Sequence, residues 1–556
     1  MIQAILLSLL LVSFKRETKF DLKLKFSFIF VGEGQLPLPI LMDKYCEELA
    51  FPSIFCGQSR TCSPNVKLSY EDHINSEIRR SDRRAVRYDH LLFAHKKSQL
   101  KQLCNSINIA MKKAAQSSGL TVSQVLDNNF INDTVGKDNA YRFLTSITGS
   151  PAYWEQQKKQ VLAMVRQFGV FTLFVTLSAA ESHWPELLQI LKKTVDNCDD
   201  ADVSDLNFEE KARLIRSDPV TCALYFDHKF KEIKKTWNNT KDGPFGKYKL
   251  KHIYYRIEFQ HRGSPHVHSI LWLDGAPKFD PNNAETFKTI ASFIDEIITT
   301  TSRDSETENL VKYQRHKCTH TCKKTAKGKI SCRFGAPFPP MDQTRILTPL
   351  PDEEREKIDK DESKKIRNDI ARINQLLDSD IEIVDFSNFL DLTKFSLDQY
   401  IYIVRSQLKA NKIFLKRDPK DSRINAYSPK ILLLMQSNVD VQFVLDPYAC
   451  IQYIVDYINK PSRGISRLLR ACVESFRNGN RSVREKLKSV SNTFYNGVEI
   501  SAQEAAWCRL RLPMSCSSVV VEFINTSPKD VSLLIFIFLI IFNNFTLETY
   551  SLDIAF

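Results

Sequence analysis

The sequence predicts an α+β fold, an antiparallel sheet with flanking helices. Three observations carry that expectation. Two segments, 253–259 and 266–273, alternate or run apolar at strand length across a short turn. A β-branched and aromatic run, Val170 to Ser178, reads as a central strand. Amphipathic helical patterns stand on either side of both. The chain has 556 residues, enough for about three domains, and its 43% hydrophobic content is ordinary for a protein that buries cores. Its net charge of +13 is not ordinary and favours a polyanionic partner. The 13 cysteines are odd in number and mostly scattered, which excludes a disulfide framework as the organising device and fits a reducing compartment.

The elements follow in chain order. Residues 1–35 open on an apolar stretch, Ile5 to Val12, with no basic residue before it. Lys15 and Arg16 come after it, so the segment reads as an apolar leader or an artefact of gene prediction rather than a signal peptide. Residues 36–165 read as a mostly helical N-terminal region. In it, Leu91 to Gln116 spaces apolar residues three and four apart with lysines between, a face suited to solvent or to a DNA backbone. Residues 166–300 form the expected core. After the 170–178 strand, Ala179 to Leu191 turns helical, and Asp218 to Lys235 gives a second amphipathic helix.

Within that core, Ile253, Tyr255, Ile257 and Phe259 alternate with Tyr254, Arg256 and Glu258, a strand with one polar face. His261 to Pro265 supplies turn residues, and His266 to Leu273 forms the return strand of a hairpin. Residues two apart in a strand share a face, so His266 and His268 project together. Glu258, on the polar face of the partner strand, supplies the third donor. Two imidazoles and one carboxylate leave positions open for water and substrate, the pattern of a catalytic metal site. A hydrolase of the HxHxDH type is excluded, because Ser269 to Leu271 offers no further ligands.

Residues 301–348 carry a cysteine cluster. Cys318, Cys322 and Cys332, with either His316 or His320, have the composition of a tetrahedral zinc site. Lys323, Lys324, Lys327 and Lys329 suit a small knuckle that touches phosphates. Five prolines between Pro337 and Pro351 mark a boundary. Residues 349–385 contain a charge-dense stretch expected to be an exposed linker helix. Residues 386–528 read as a helical region, with a final helical stretch from about Pro429 to Ser475. On a helix, Tyr453, Tyr457 and Lys460 fall within about 60° of arc, opposite Ile451, Ile454, Val455 and Ile458. A phenolate is a competent nucleophile at phosphorus, and its ordinary pKa of about 10 calls for help from a cation or base. Lys460 could lower a tyrosine pKa or neutralise a phosphate oxygen. Residues 529–556 hold the apolar run Val531 to Phe542, which as a helix spans about 18 Å against a hydrocarbon core of about 30 Å. It is not expected to cross a membrane.

These motifs together resemble the Rep-like HUH nuclease domain of Helitron rolling-circle transposon proteins. The resemblance rests on EFQHRGSPHVHSILWL and YIVDYINK. It extends to FVTLSAAESHWPELL (174–188), DPVTCALYFDHKF (218–230), CRFGAPFPP (332–340) and NVDVQFVLDPYACIQYIVDYINKPSRG (438–464), in the family's order over roughly residues 45 to 527. It implies an HUH-type sheet, His266 and His268 as the metal histidines, Glu258 as the completing carboxylate, and Tyr453 and Tyr457 as paired nucleophiles. It further implies cleavage of single-stranded DNA at transposon ends through a 5′-phosphotyrosine, with Mg²⁺ or Mn²⁺ as cofactor. Structural Zn²⁺ in the cysteine cluster is expected from its own residues, and a nuclear location goes with the DNA substrate. Helitron proteins resemble a Rep nuclease fused to a helicase. Here Gly136-Lys137, Gly246-Lys247 and Gly328-Lys329 are followed by Asp138, Tyr248 and Ile330, so no GxxxxGK[ST] phosphate loop is present. The expectation is a truncated, motor-free enzyme. The alternatives are a catalytically inactive DNA-binding remnant and a zinc-binding protein without nuclease activity.

Overall fold

The computed structural model describes residues 40–60, 66, 68–117, 144–198, 202–259, 263–301, 305–320, 322–326, 329–446 and 483–522. The apolar stretches Ile5 to Val12 and Val531 to Phe542 lie outside the described residues. The chain falls into two compact units. The first lies within 1–102, 168–456 and 499–518, the second within 103–167, 457–498 and 519–556.

The first unit is built on a five-stranded antiparallel sheet. Its strands are β1 (Leu173–Ser178), β2 (Lys249–Phe259), β3 (Pro265–Asp274), β8 (Val439–Phe443) and β9 (Ser515–Ser517), in the order β8-β1-β3-β2-β9. Two small pairs complete the strands: β4 (Lys323–Ala326) with β5 (Lys329–Cys332), and β6 (Arg345–Leu347) with β7 (Lys412–Phe414). With helices around an antiparallel sheet, the class is α+β. The β2–β3 hairpin and the interior position of β1 match the sequence expectation.

β8 does not. The stretch from about Pro429 to Ser475 reads as helical, but among its described residues Pro429–Met435 is a helix and Val439–Phe443 is a strand paired with β1. The physical reason is visible in VDVQF. Val439, Val441 and Phe443 are buried, whereas Asp440 and Gln442 turn to the other face, a period of two rather than 3.6. Gln436, at positive φ, ends the helix and lets the chain change direction.

The sheet has one apolar and one polar face. Val175, Leu177, Ile257, Val267, Leu271, Val439 and Val441 are fully or almost fully buried on the apolar one. Each such side chain contributes about 1.5–3 kcal/mol relative to exposure. Helices cover that face. Phe230 of Pro219–Thr236 meets Tyr255 edge-on at 4.9 Å, Phe293 of Ala284–Ile297 meets Phe443 at 5.7 Å, and Trp507 of Ala502–Arg509 meets Phe259 at 5.8 Å. The Pro219–Thr236 helix starts where the sequence places it. Asp218 caps it by accepting from the Thr221 N–H at 2.9 Å. The same carboxylate takes a two-pronged ion pair from Arg83 at 2.9 and 2.8 Å, which ties the N-terminal helices to the sheet's backing helix.

Residues 40–102 form only helices and turns among the described residues, including Tyr70–Ile78 and the start of Tyr88–Ser117. The charge-dense stretch forms Asp352–Glu356 and Lys360–Leu377. The second of these helices is not solvated all round: Ile366 and Ile373 are buried, and Ile373 joins a core with Phe389, Tyr400, Ile403 and Phe414. The Tyr400 hydroxyl donates to the Pro340 carbonyl at 3.0 Å, fastening that core to the proline-rich stretch. In the second unit, Trp154, Val161 and Met164 of Pro151–Phe168 are buried, as are Val490 and Phe494 of Val483–Gly497. Among the described residues no helix is long and apolar enough to cross a membrane.

Candidate metal centre on the polar sheet face

Strand register builds the site. β2 and β3 pair so that Glu258 stands opposite His266 and Arg256 opposite His268. β1 places Ser178 opposite His266 and Thr176 opposite His268, and β8 adds Asp440 opposite Thr176. Directly opposed residues in an antiparallel pair point to the same face. The result is one polar row across four strands, Arg256, His268, Thr176 and Asp440, with Glu258, His266 and Ser178 in the row beside it. Gly263, at φ of 90°, leads into β3. A Cβ there would meet Ser501 at 3.4 Å, an ordinary contact, so the turn uses glycine for its backbone conformation alone.

His268 is the best-held member. It is 6% exposed. Its Nε2 lies 2.9 Å from Glu258 Oε2 and its Nδ1 lies 3.2 Å from Thr176 Oγ1, while Phe174 stacks on the ring at 5.9 Å. The His266 ring lies 4.9 Å from that of His268. Burial, reinforced by the charge of His268 and opposed by Glu258, pulls the His266 pKa down to about 3, so the imidazole is neutral at physiological pH. Burial alone would raise the Glu258 carboxyl. The hydrogen bond to His268 and the nearby Arg256 guanidinium outweigh it and hold Glu258 below its ordinary range. A carboxylate beside a neutral imidazole is the protonation state in which such groups bind a divalent cation. The donor set and its chemistry therefore fit a metal.

Three further charged groups belong to this surface, and the sequence reading gave none of them a role. Arg256 is 4% exposed and sits beside the histidines. Asp440 has its carboxyl pushed up to about 6 by burial, partly offset by the Gln442 amide at 2.7 Å. Glu504 is pushed up to about 7 by burial, with Arg256 opposing and Glu258 adding to the rise. Arg256 and Asp440 could have been found from strand alternation. Glu504 carries only a local signal, its backbone N–H capping onto Ser501. Tyr453, Tyr457 and Lys460 lie outside the described residues.

The cysteine cluster assembles. One ligand atom each from His316, Cys318, Cys322 and Cys332 lies within 4.8 Å of the other three, and among the described residues this is the one group of three or more potential ligands that closes to that spacing. His266, His268 and Glu258 share a face without drawing together as tightly. The cysteine set can hold a metal and is compatible with zinc. His316 is the imidazole in it, whereas His320 is exposed and outside it. The β4–β5 pairing makes the arrangement, because Lys323 stands opposite Cys332 and so brings Cys322 beside it.

Residues 75–271 match the family described as the Helitron helicase-like domain at the N-terminus. The chain is Helitron-related. The matched stretch takes in β1, β2 and the histidine pair of β3, so the polar sheet face lies almost entirely inside the Helitron-type domain. Among curated proteins, no match is found.

Proposed function

We propose that this Helitron-related chain is a Rep-type endonuclease and strand transferase acting on single-stranded DNA in the nucleus, with the five-stranded sheet as an HUH nuclease core. The observation that carries the reading is the register that sets Glu258 opposite His266 and within 2.9 Å of His268. His266, His268 and Glu258 would hold Mg²⁺ or Mn²⁺, which supplies polarisation of the scissile phosphate and neutralises charge as it develops. The protein's own residues do the rest. Burial keeps His266 neutral, and Thr176 fixes the His268 ring through Nδ1. The phenolate of Tyr453 or Tyr457 attacks phosphorus. The bond from phosphorus to the 3′ oxygen breaks, that oxygen leaves as a hydroxyl after taking a proton, and the 5′-phosphate stays on the tyrosine. The ester retains the bond energy, so a second hydroxyl can reverse the step and join strands. The net charge of +13 suits the polyanionic substrate.

The test is to incubate the full chain with end-labelled single-stranded DNA and Mn²⁺ and to look for a covalent adduct that survives denaturation. An adduct is expected from the native protein and not from His268→Ala. Its loss in Tyr453→Phe or in Tyr457→Phe identifies the first nucleophile. A native protein that binds the DNA yet forms no adduct refutes the proposal and leaves a DNA-binding remnant.

A further inference from the structure

The second cluster of ligand atoms is not used by the proposed nicking reaction, and its surroundings point to a separate role. We propose that His316, Cys318, Cys322 and Cys332 hold one structural zinc ion, and that Arg423 backs the site from outside so that the zinc fastens the β4–β5 hairpin to the 417–424 segment.

The geometry supports the ion on three counts. Zinc bonds of about 2.3 Å to sulfur and 2.0–2.1 Å to nitrogen give a tetrahedron with edges of about 3.5–3.8 Å. The ligand atoms here all lie within 4.8 Å of one another, with His316 Nε2 at 3.5 Å from Cys318 Sγ and 3.2 Å from Cys332 Sγ. Those separations need only small adjustments to accept the ion. The backbone also meets the sulfur: the Thr319 N–H donates to Cys322 Sγ at 3.3 Å. Amide donors aimed at sulfur stabilise the charged form that a metal requires. Lastly, four protein ligands fill the coordination sphere, which makes the site structural rather than catalytic.

The outer partner follows from charge. Binding converts up to three thiols to thiolates, releasing their protons to solvent, and three thiolates with one neutral imidazole around a divalent ion leave a net charge of −1. Arg423 answers that charge. Its Nη1 lies 3.5 Å from Cys318 Sγ, and its Nη2 is held by Asp378 Oδ1 at 2.5 Å. The backbone joins the same two segments: the His316 N–H donates to the Arg423 carbonyl at 2.7 Å, Arg315 and Ile424 form an isolated bridge, and the Phe338 N–H donates to the Ser422 carbonyl at 2.6 Å. A first ligand and the outer arginine are thus bonded to each other through the main chain.

The experiment measures zinc bound per chain in the purified full-length protein, then its affinity by competition with a chromophoric chelator. One zinc per native chain is expected. His316→Ala and Cys322→Ser should weaken binding by at least about a hundredfold, and His320→Ala should leave it unchanged. Arg423→Ala should keep the stoichiometry but weaken affinity by about 10- to 100-fold, the usual effect of an outer partner of a metal ligand. In case the cysteine variants fail to fold, cobalt exchanged into the native chain provides a second reading. An intense sulfur-to-cobalt charge-transfer band with the visible spectrum of a tetrahedral ion is expected. A folded native protein that takes up neither zinc nor cobalt overturns the proposal. So does equal loss on replacing His316 and His320. Unchanged affinity in Arg423→Ala overturns the role of the arginine. None of these readouts depends on DNA cleavage.

Discussion

The molecule carries two sets of candidate metal ligands, and they are built on opposite principles. On the sheet face, three donors come from two long paired strands, and their neighbours across the sheet fix their orientation. Glu258 and His268 are already hydrogen-bonded to each other, and no fourth protein ligand converges on them among the described residues. In the cysteine cluster, four donors come from a short stretch of chain and close on one another without help from a large sheet. A rigid scaffold with an unfilled coordination sphere suits chemistry; a short stretch of chain with a filled one suits folding. The Helitron-type domain match covers the first set and stops before the second.

The sharpest way to break this comparison is to cross the two phenotypes. His268→Ala should lower DNA nicking by at least about a thousandfold, as expected when a catalytic metal is lost, while leaving zinc content and thermal midpoint nearly unchanged. Cys322→Ser should do the reverse, lowering the midpoint and removing zinc. If Cys322→Ser abolishes nicking while the protein remains folded, the two sites are not separate devices. Next in size is Thr176→Val, which removes the partner of His268 Nδ1 but keeps the strand. A rise of about 10- to 100-fold in the Mn²⁺ concentration needed for half-maximal nicking is expected, with little change in the rate at saturation. An unaltered metal dependence would show that Thr176 does not orient the histidine.

The smallest effect concerns Asp440. Its carboxyl is raised to about 6 in the folded protein, against an ordinary value near 3.8. The folded state therefore binds the proton more tightly than the unfolded chain does. The group is most favourable to folding below about pH 4, and that contribution is lost as pH rises to about 6. Asp440→Asn should raise stability at pH 7 by roughly 1 kcal/mol, a figure discounted for the carboxyl's partial exposure. It should also flatten the dependence on pH between about 4 and 6. Denaturant midpoints measured for both proteins at an acidic and a neutral pH test it, and a destabilised variant would contradict the sign.

Much of the polar sheet face was legible in the sequence because period-two alternation is a local signal. Tyr254, Arg256 and Glu258 announce a polar face, and a short turn returns the chain to His266 and His268. The neighbours on β1 and β8 were not, since pairing between distant segments leaves no local mark. β8 was hidden further by the apolar run Ile431 to Met435 just before it, which extends a helical impression into VDVQF. β9 is three residues of Ser-Cys-Ser inside the 386–528 stretch that reads as helical, too short to show a period of two. The charged stretch hid its buried side for a similar reason: Ile366 and Ile373 are two apolar residues among many charges, and only the core they meet gives them weight. In the cysteine cluster the thiols were evident, but His316 and His320 each stand two residues from Cys318, so spacing could not choose between them. The main-chain bond from His316 to Arg423 makes the choice, because it holds that histidine beside the sulfurs.

That bond also bears on the order in which the chain can fold. The candidate ligands of the cysteine cluster lie close in sequence, so their loops are quickly closed, whereas Cys318 and Arg423 are 105 positions apart. Closing a loop of that length costs about 2 kcal/mol more in chain entropy than closing one of about ten residues. A cysteine cluster assembled first offers the long loop a finished docking surface; without it, both closures must be met at once. Removing the metal should therefore slow refolding more than it speeds unfolding. Stopped-flow traces with and without zinc would reveal this, and an effect confined to the unfolding rate would contradict it.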